Sequence, residues 1–136
     1  YIRTDISAYQ DISAFLVQSG LDKEKTKKAI SLILAELNKI KEEGVTDKEL
    51  SSAKEFLKGK LVLGLEDSEN VADWFGKQQL LLNKIYTPEQ KLKKIFDVKK
   101  EQIQEVAKDL FKEQKLNLAM IGPFKDKGEF KKLLKF

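Results

Sequence analysis

The sequence contains no histidine and no cysteine. Without cysteine there are no disulfides and no thiolate chemistry, as expected of a chain kept in a reducing compartment such as the cytoplasm. Without histidine as well, the chain lacks the usual zinc ligands and the side chain best suited to proton transfer near neutral pH. It also lacks the base of any Ser-His or Cys-His pair. No catalytic and no metal-ligating residue can be nominated. Apolar runs are short, the longest being Leu61-Val62-Leu63-Gly64-Leu65, far below the roughly 20 residues of a membrane helix. No charged-then-apolar leader opens the chain, and no membrane partner is expected. Glycine-rich spacings that cradle phosphate are absent, and Gly122-Pro123 reads as a stop signal.

What is present is enough for one core. The 136 residues are 41% apolar and 35% charged, a balance that buries a domain interior beneath a densely solvated surface. The 26 basic and 22 acidic residues give a formal charge of +4, and the signs interleave along the chain. Lysine runs at 23–28, 91–94 and 125–132 are each broken by acidic or apolar residues, so a solvated face is preferred to nucleic-acid binding. The chain starts at Tyr1 in strand-like sequence, as expected of a piece of a larger polypeptide. A single domain over residues 1–136 is expected.

Hydrophobic periodicity then orders the elements. Ile12, Ala14, Leu16 and Gln18 alternate with Asp11, Ser13, Phe15, Val17 and Ser19, which predicts two strands over residues 1–19 with a turn near Asp5 to Ala8. After Gly20, Asp22 is placed to cap a helix carrying Ala29, Ile30, Ile33, Leu34, Leu37 and Ile40 on one face and ending near Gly44. Thr46 and Glu49 form a capping box for a second helix. Leu50, Ala53, Leu57, Leu61 and Gly64 lie along one face of it, the two small residues suiting close approach of a neighbour, with Lys48, Lys54, Glu55 and Lys58 outward. As a core position Leu57 is expected to cost about 2–5 kcal/mol on truncation to Ala.

A third helical stripe runs through Val71, Trp74, Phe75, Gln78, Leu82 and Ile85. Trp74 and Phe75 at that spacing read as core in preference to a ligand pocket. Glu66, Asp67 and Glu69 cluster at the junction before it, where capping explains acidic residues better than metal binding does. Thr87-Pro88-Glu89-Gln90 starts a fourth helix with Leu92, Ile95 and Phe96 on its buried side. A fifth carries Ile103, Val106, Ala107, Leu110 and Phe111. Lys115–Ile121 reads as an internal strand returning beside the first pair, and a short terminal helix bears Phe130, Leu133 and Leu134. The class is α+β: a helical layer packed on a small, mainly antiparallel sheet.

Taken in order, Tyr1-Ile2-Arg3-Thr4, Tyr9-x-Asp11-x-Ser13-x-Phe15, Gly20-Leu21-Asp22, "EEGVTDKELSSAK" (42–54), "LVLGLEDSENVADWFG" (61–76), "YTPEQ" (86–90), "VKKEQIQEVAKDLF" (98–111) and "LAMIGPF" (118–124) resemble one known pattern. It is the C-terminal-half domain of the insulinase/pitrilysin-like zinc metallopeptidases, the group that includes mitochondrial processing peptidase. Ser13 departs from it, the family commonly having glycine there.

The resemblance implies a truncated half-domain from a clamshell of two homologous α+β domains. Zinc would sit in the other half, on a His-x-x-Glu-His helix, so no cofactor is expected in this chain. Its implied role is noncatalytic: shaping the chamber and binding peptide substrate for a zinc-dependent metalloendopeptidase. The implied partners are the N-terminal metal-binding half or a partner subunit, together with peptide substrate. The family's second half contacts substrate through an Arg and a Tyr at the start of this strand. The Arg would precede the chain, and Tyr1 corresponds to the tyrosine or to the position just after it. Tyr1 is taken as the substrate-binding candidate, and nothing is carried over to Arg3. The alternatives are a structural or partner-binding subunit of the same fold without catalysis, or a basic helical binding module.

Overall fold

The computed structural model describes residues 1–9 and 11–136, which divide into two compact units: Tyr1–Glu43 with Val106–Phe136, and Gly44–Glu105. The elements, in order, are strands β1 (Ile2–Ala8) and β2 (Ser13–Ser19) and helices α1 (Thr26–Glu43), α2 (Asp47–Gly64), α3 (Ser68–Leu82), α4 (Pro88–Asp97), α5 (Lys100–Leu110) and α6 (Lys127–Lys131). Short 3-10 turns occupy Lys23–Lys25 and Glu113–Lys115. Helices and a two-stranded antiparallel sheet make the class α+β.

In the first unit, β1 and β2 pair from Ile2↔Ser19 to Ala8↔Ser13. The expected turn at Asp5 to Ala8 is therefore wrong, because all four residues lie in β1. Polar Asp5 looked like a turn residue, but its carboxylate accepts the Ile6 N–H at 2.8 Å. It thereby satisfies a donor that β2 does not pair, which is how a sheet edge tolerates Asp. The reversal falls after Ala8, closed by the Tyr9 N–H donating to the Ile12 carbonyl at 2.9 Å.

The pleat sorts Ile6, Phe15 and Val17 to one face and Arg3, Leu16 and Gln18 to the other. Phe15 meets Phe111 edge-on, with ring centroids 5.5 Å apart. On the opposite face Arg3 donates twice to the Gln18 side-chain oxygen, at 2.7 and 3.0 Å.

The unit's core is the cluster Ile30, Leu34 and Phe130, with Leu116, Met120, Phe124, Leu133, Leu134 and Phe136 packed around it. Helix α1 supplies its stripe as its three-to-four spacing predicts. Its start differs from expectation, since the Asp22 side chain makes no capping bond. Asp22 offers its carbonyl to the buried Thr26 hydroxyl instead, at 3.1 Å, and pairs through its carboxylate with Lys25 at 3.2 Å.

The expected strand at Lys115–Ile121 is also absent. Leu116 is extended, but 116–121 takes no regular structure and joins no sheet. A strand needs a ladder partner to satisfy its backbone. Here Leu116 and Met120 instead lay apolar side chains on the core, leaving Ile121 fully exposed.

The second unit rests on caps. Thr46 and Glu49 form the expected box at α2, the Thr hydroxyl accepting the Glu49 N–H at 3.2 Å and the Glu carboxylate accepting the Thr46 N–H at 2.8 Å. Thr87 and Gln90 repeat it at α4. Asp67 caps α3 by accepting the Glu69 N–H, and Asn70 donates to the Gly64 carbonyl that closes α2.

The packing face of α2 is shallower than expected. Leu57 is 44% exposed, so it is not a core residue, and no neighbouring element comes within 4 Å of where a Cβ on Gly64 would stand. Lys54 does not point to solvent, because its ammonium donates to the carbonyls of Phe96 and Val98, both at 2.7 Å. Helix α3 stops at Leu82, where Asn83 turns left-handed at φ 46°, leaving Ile85 outside the stripe it was assigned to.

Candidate functional site

Tyr1 stands one step beyond the hairpin ladder. Its carbonyl accepts the Gly20 N–H at 3.1 Å, and its own nitrogen donates to the Gly20 carbonyl at 3.4 Å. A tyrosine opposite a glycine covers the backbone that glycine leaves bare. A Cβ at Gly20 would come within 2.7 Å of the Tyr1 ring. Tyr1 as a whole nonetheless remains 76% exposed. Tyr1 thus shares the open face of the hairpin with Arg3, whose guanidinium is held by Gln18.

In the acidic cluster at the α2–α3 junction, Asp67 caps α3. Among the described residues no three acidic side chains gather as a cation site would require. With histidine and cysteine missing from the sequence, the donor set present does not fit a zinc ion.

A second locus lies in the α3–α4 connection, which sequence reasoning passed over. The Tyr86 backbone is clamped by Gln78, whose side chain accepts the Tyr86 N–H at 3.0 Å and donates to its carbonyl at 3.3 Å. That carbonyl also accepts the Trp74 indole N–H at 3.1 Å. The Tyr86 ring lies beneath the Lys94 ammonium, 3.7 Å from the centroid, and near that of Lys84 at 4.9 Å. The hydroxyl's interactions with Lys84 and then Lys94 pull its pKa down to about 8. The only available signal was lysine placed two residues before and eight after a tyrosine, too common a spacing to single out.

Trp74 is half-buried and lines a groove of about 560 Å³ bounded by residues of α2, α3 and α4. Phe75 is not among its walls.

Comparison with known proteins places these observations in a class. Residues 2–57 match the family described as Peptidase M16 inactive domain. Over 117 residues, 86% of this chain, it is 32% identical to an uncharacterized zinc protease of Bacillus subtilis. Over 121 residues, 89% of the chain, it is 31% identical to an uncharacterized zinc protease of Streptomyces coelicolor. A zinc protease of Mycobacterium bovis, also uncharacterized, is 29% identical over 118 residues, 87% of the chain.

The chain carries a C-terminal-half, M16-like domain, the peptidase-related class that its residues resemble. It spans about a quarter of the length of these relatives: 28%, 26% and 27% respectively. Among the described residues no helix is long and apolar enough to cross a membrane.

Proposed function

We propose that this domain is the noncatalytic, chamber-forming and substrate-holding half of a zinc-dependent metalloendopeptidase. The observation that carries the proposal is the match of residues 2–57 to an inactive peptidase domain in a chain without a single imidazole or thiol. A catalytic zinc keeps three protein ligands and an open position for water, and it works with a nearby acid-base group. All of these come from the N-terminal metal-binding half, which is the partner of this domain. What remains for the present chain is to hold an extended peptide against that centre, a contribution of positioning rather than bond-breaking. The names of the zinc-protease relatives support zinc in the parent protein.

Tyr1 is the substrate-contacting residue in this reading. Its exposed ring, braced from behind by the Gly20 backbone, presents an apolar face and a hydroxyl together, a combination suited to a peptide's side chain and main chain at once. In the assembled peptidase, Tyr1→Ala is expected to raise KM several-fold with kcat nearly unchanged, the mark of lost uniform binding. Unaltered KM, or a loss confined to kcat, would remove Tyr1 from the substrate surface.

A further inference from the structure

Lys60 and Lys91 line the groove beside Trp74 and make no ion pair among the described residues. Asp73, the one carboxylate lining it, is already matched by Lys77 at 2.8 Å. The unmatched charge of the groove is therefore positive.

Its walls are apolar. Leu57, Leu61 and Leu65 of α2 and its C-terminus, Ile95 of α4 and the Trp74 indole line the groove together. From Leu57 to Leu65 the wall runs over eight residue steps, about 12 Å at the helical rise. At about 560 Å³ the space falls within the range of ordinary small-molecule sites.

Gly64, the last residue of α2, also lines the groove. Apart from its own helix backbone and chain neighbours, nothing lies within 4 Å of where a Cβ would stand there, so the groove is open at that point. The indole is meanwhile held in place by its bond to the Tyr86 carbonyl and cannot swing in to fill the gap without giving that bond up.

We propose that this groove binds an amphipathic carboxylate, its acyl chain lying along Leu57, Leu61, Leu65 and Trp74 and its anionic head paired with Lys60 and Lys91. A neutral or cationic head leaves the two ammonium groups unmatched, so the charge pattern selects against it. The walls supply affinity through apolar burial and the lysines supply head-group choice.

Trp74 is the only tryptophan of the sequence, so its emission reports the groove directly. The intact chain is titrated with dodecanoate below its micellar concentration, and in parallel with dodecyl maltoside and dodecyltrimethylammonium. The expected result is a saturable emission change with dodecanoate, weakened by salt and by about tenfold in Lys60→Gln/Lys91→Gln, since two exposed ion pairs together are worth about that factor. Gly64→Leu is expected to abolish it, and circular dichroism shows whether that variant keeps its helices. If it does not, the lysine variant and the head-group series decide.

Equal responses to the three amphiphiles would overturn the proposal, as would indifference to the lysine substitutions. So would an emission change that follows protein concentration without any amphiphile, which would mean that a second copy covers the groove.

Discussion

Two leucines that look alike in sequence should behave differently on truncation. Leu34 and Leu57 each sit on the apolar stripe of a long helix, but Leu34 is 7% exposed within the Ile30–Phe130 cluster whereas Leu57 is 44% exposed. Leu34→Ala removes a packed side chain and leaves a cavity, at about 2–5 kcal/mol. Leu57→Ala removes a side chain only a little over half covered and opening onto a groove, so no closed cavity forms. Full burial of a leucine is worth about 1.5–3 kcal/mol, which sets the cost at Leu57 near 1 kcal/mol.

Urea unfolding followed by circular dichroism measures both, with stability read from the midpoint at constant slope. Trp74 emission follows the unit that holds Leu57. Should Leu57→Ala cost as much as Leu34→Ala, the face of α2 is covered by more than the chain's own residues provide, and the packing described for it is mistaken.

Thr46→Ala and Thr87→Ala should each cost about 1 kcal/mol, since each removes one capping box, and their sum should hold in the double variant. A cost near zero for either would show that the box contributes nothing in solution. Tyr86 should titrate near pH 8, seen as growth of the phenolate absorbance, while Lys84→Met should return it toward the usual value of 10. Its folded pKa lies below the unfolded one. The phenolate therefore stabilises the fold fully above about pH 10, and the contribution is lost as pH falls through about 8. An absorbance titration centred at 10 in the folded chain would refute the lysine pairing.

What was legible in the sequence is mostly what chain neighbours decide. The capping boxes at Thr46 and Thr87 and the buried stripe of α1 involve residues within one or two turns of each other, and they form where spacing places them. Apart from the Asp22 cap and the reach of α3 to Ile85, the failures depend on the rest of the fold. Asp5 looked like a turn residue because a sequence does not show that the edge N–H of Ile6 will need an acceptor. Lys115–Ile121 has strand composition, yet composition cannot supply the neighbouring strand that makes a ladder. Leu57 has core spacing, but how deeply it sinks depends on what α3 and α4 bring against it. Lys54 is a surface lysine by pattern and a helix-closing donor in the fold, because the carbonyls it finds belong to residues more than forty positions away.

At the candidate site the division is the same. Tyr1 came from a resemblance, whereas its bracing on Gly20 is a cross-strand fact. The groove at Trp74 and the lysine-flanked Tyr86 needed the packing of separate helices to exist at all.

The most direct test of the functional account is a zinc and peptide-hydrolysis measurement on this chain alone and after addition of the half that carries His-x-x-Glu-His. The chain alone should retain no tightly held zinc after dialysis and cleave no peptide, and the combination should do both. One equivalent of zinc retained by the chain alone, or hydrolysis without the second half, would contradict the division of labour proposed here.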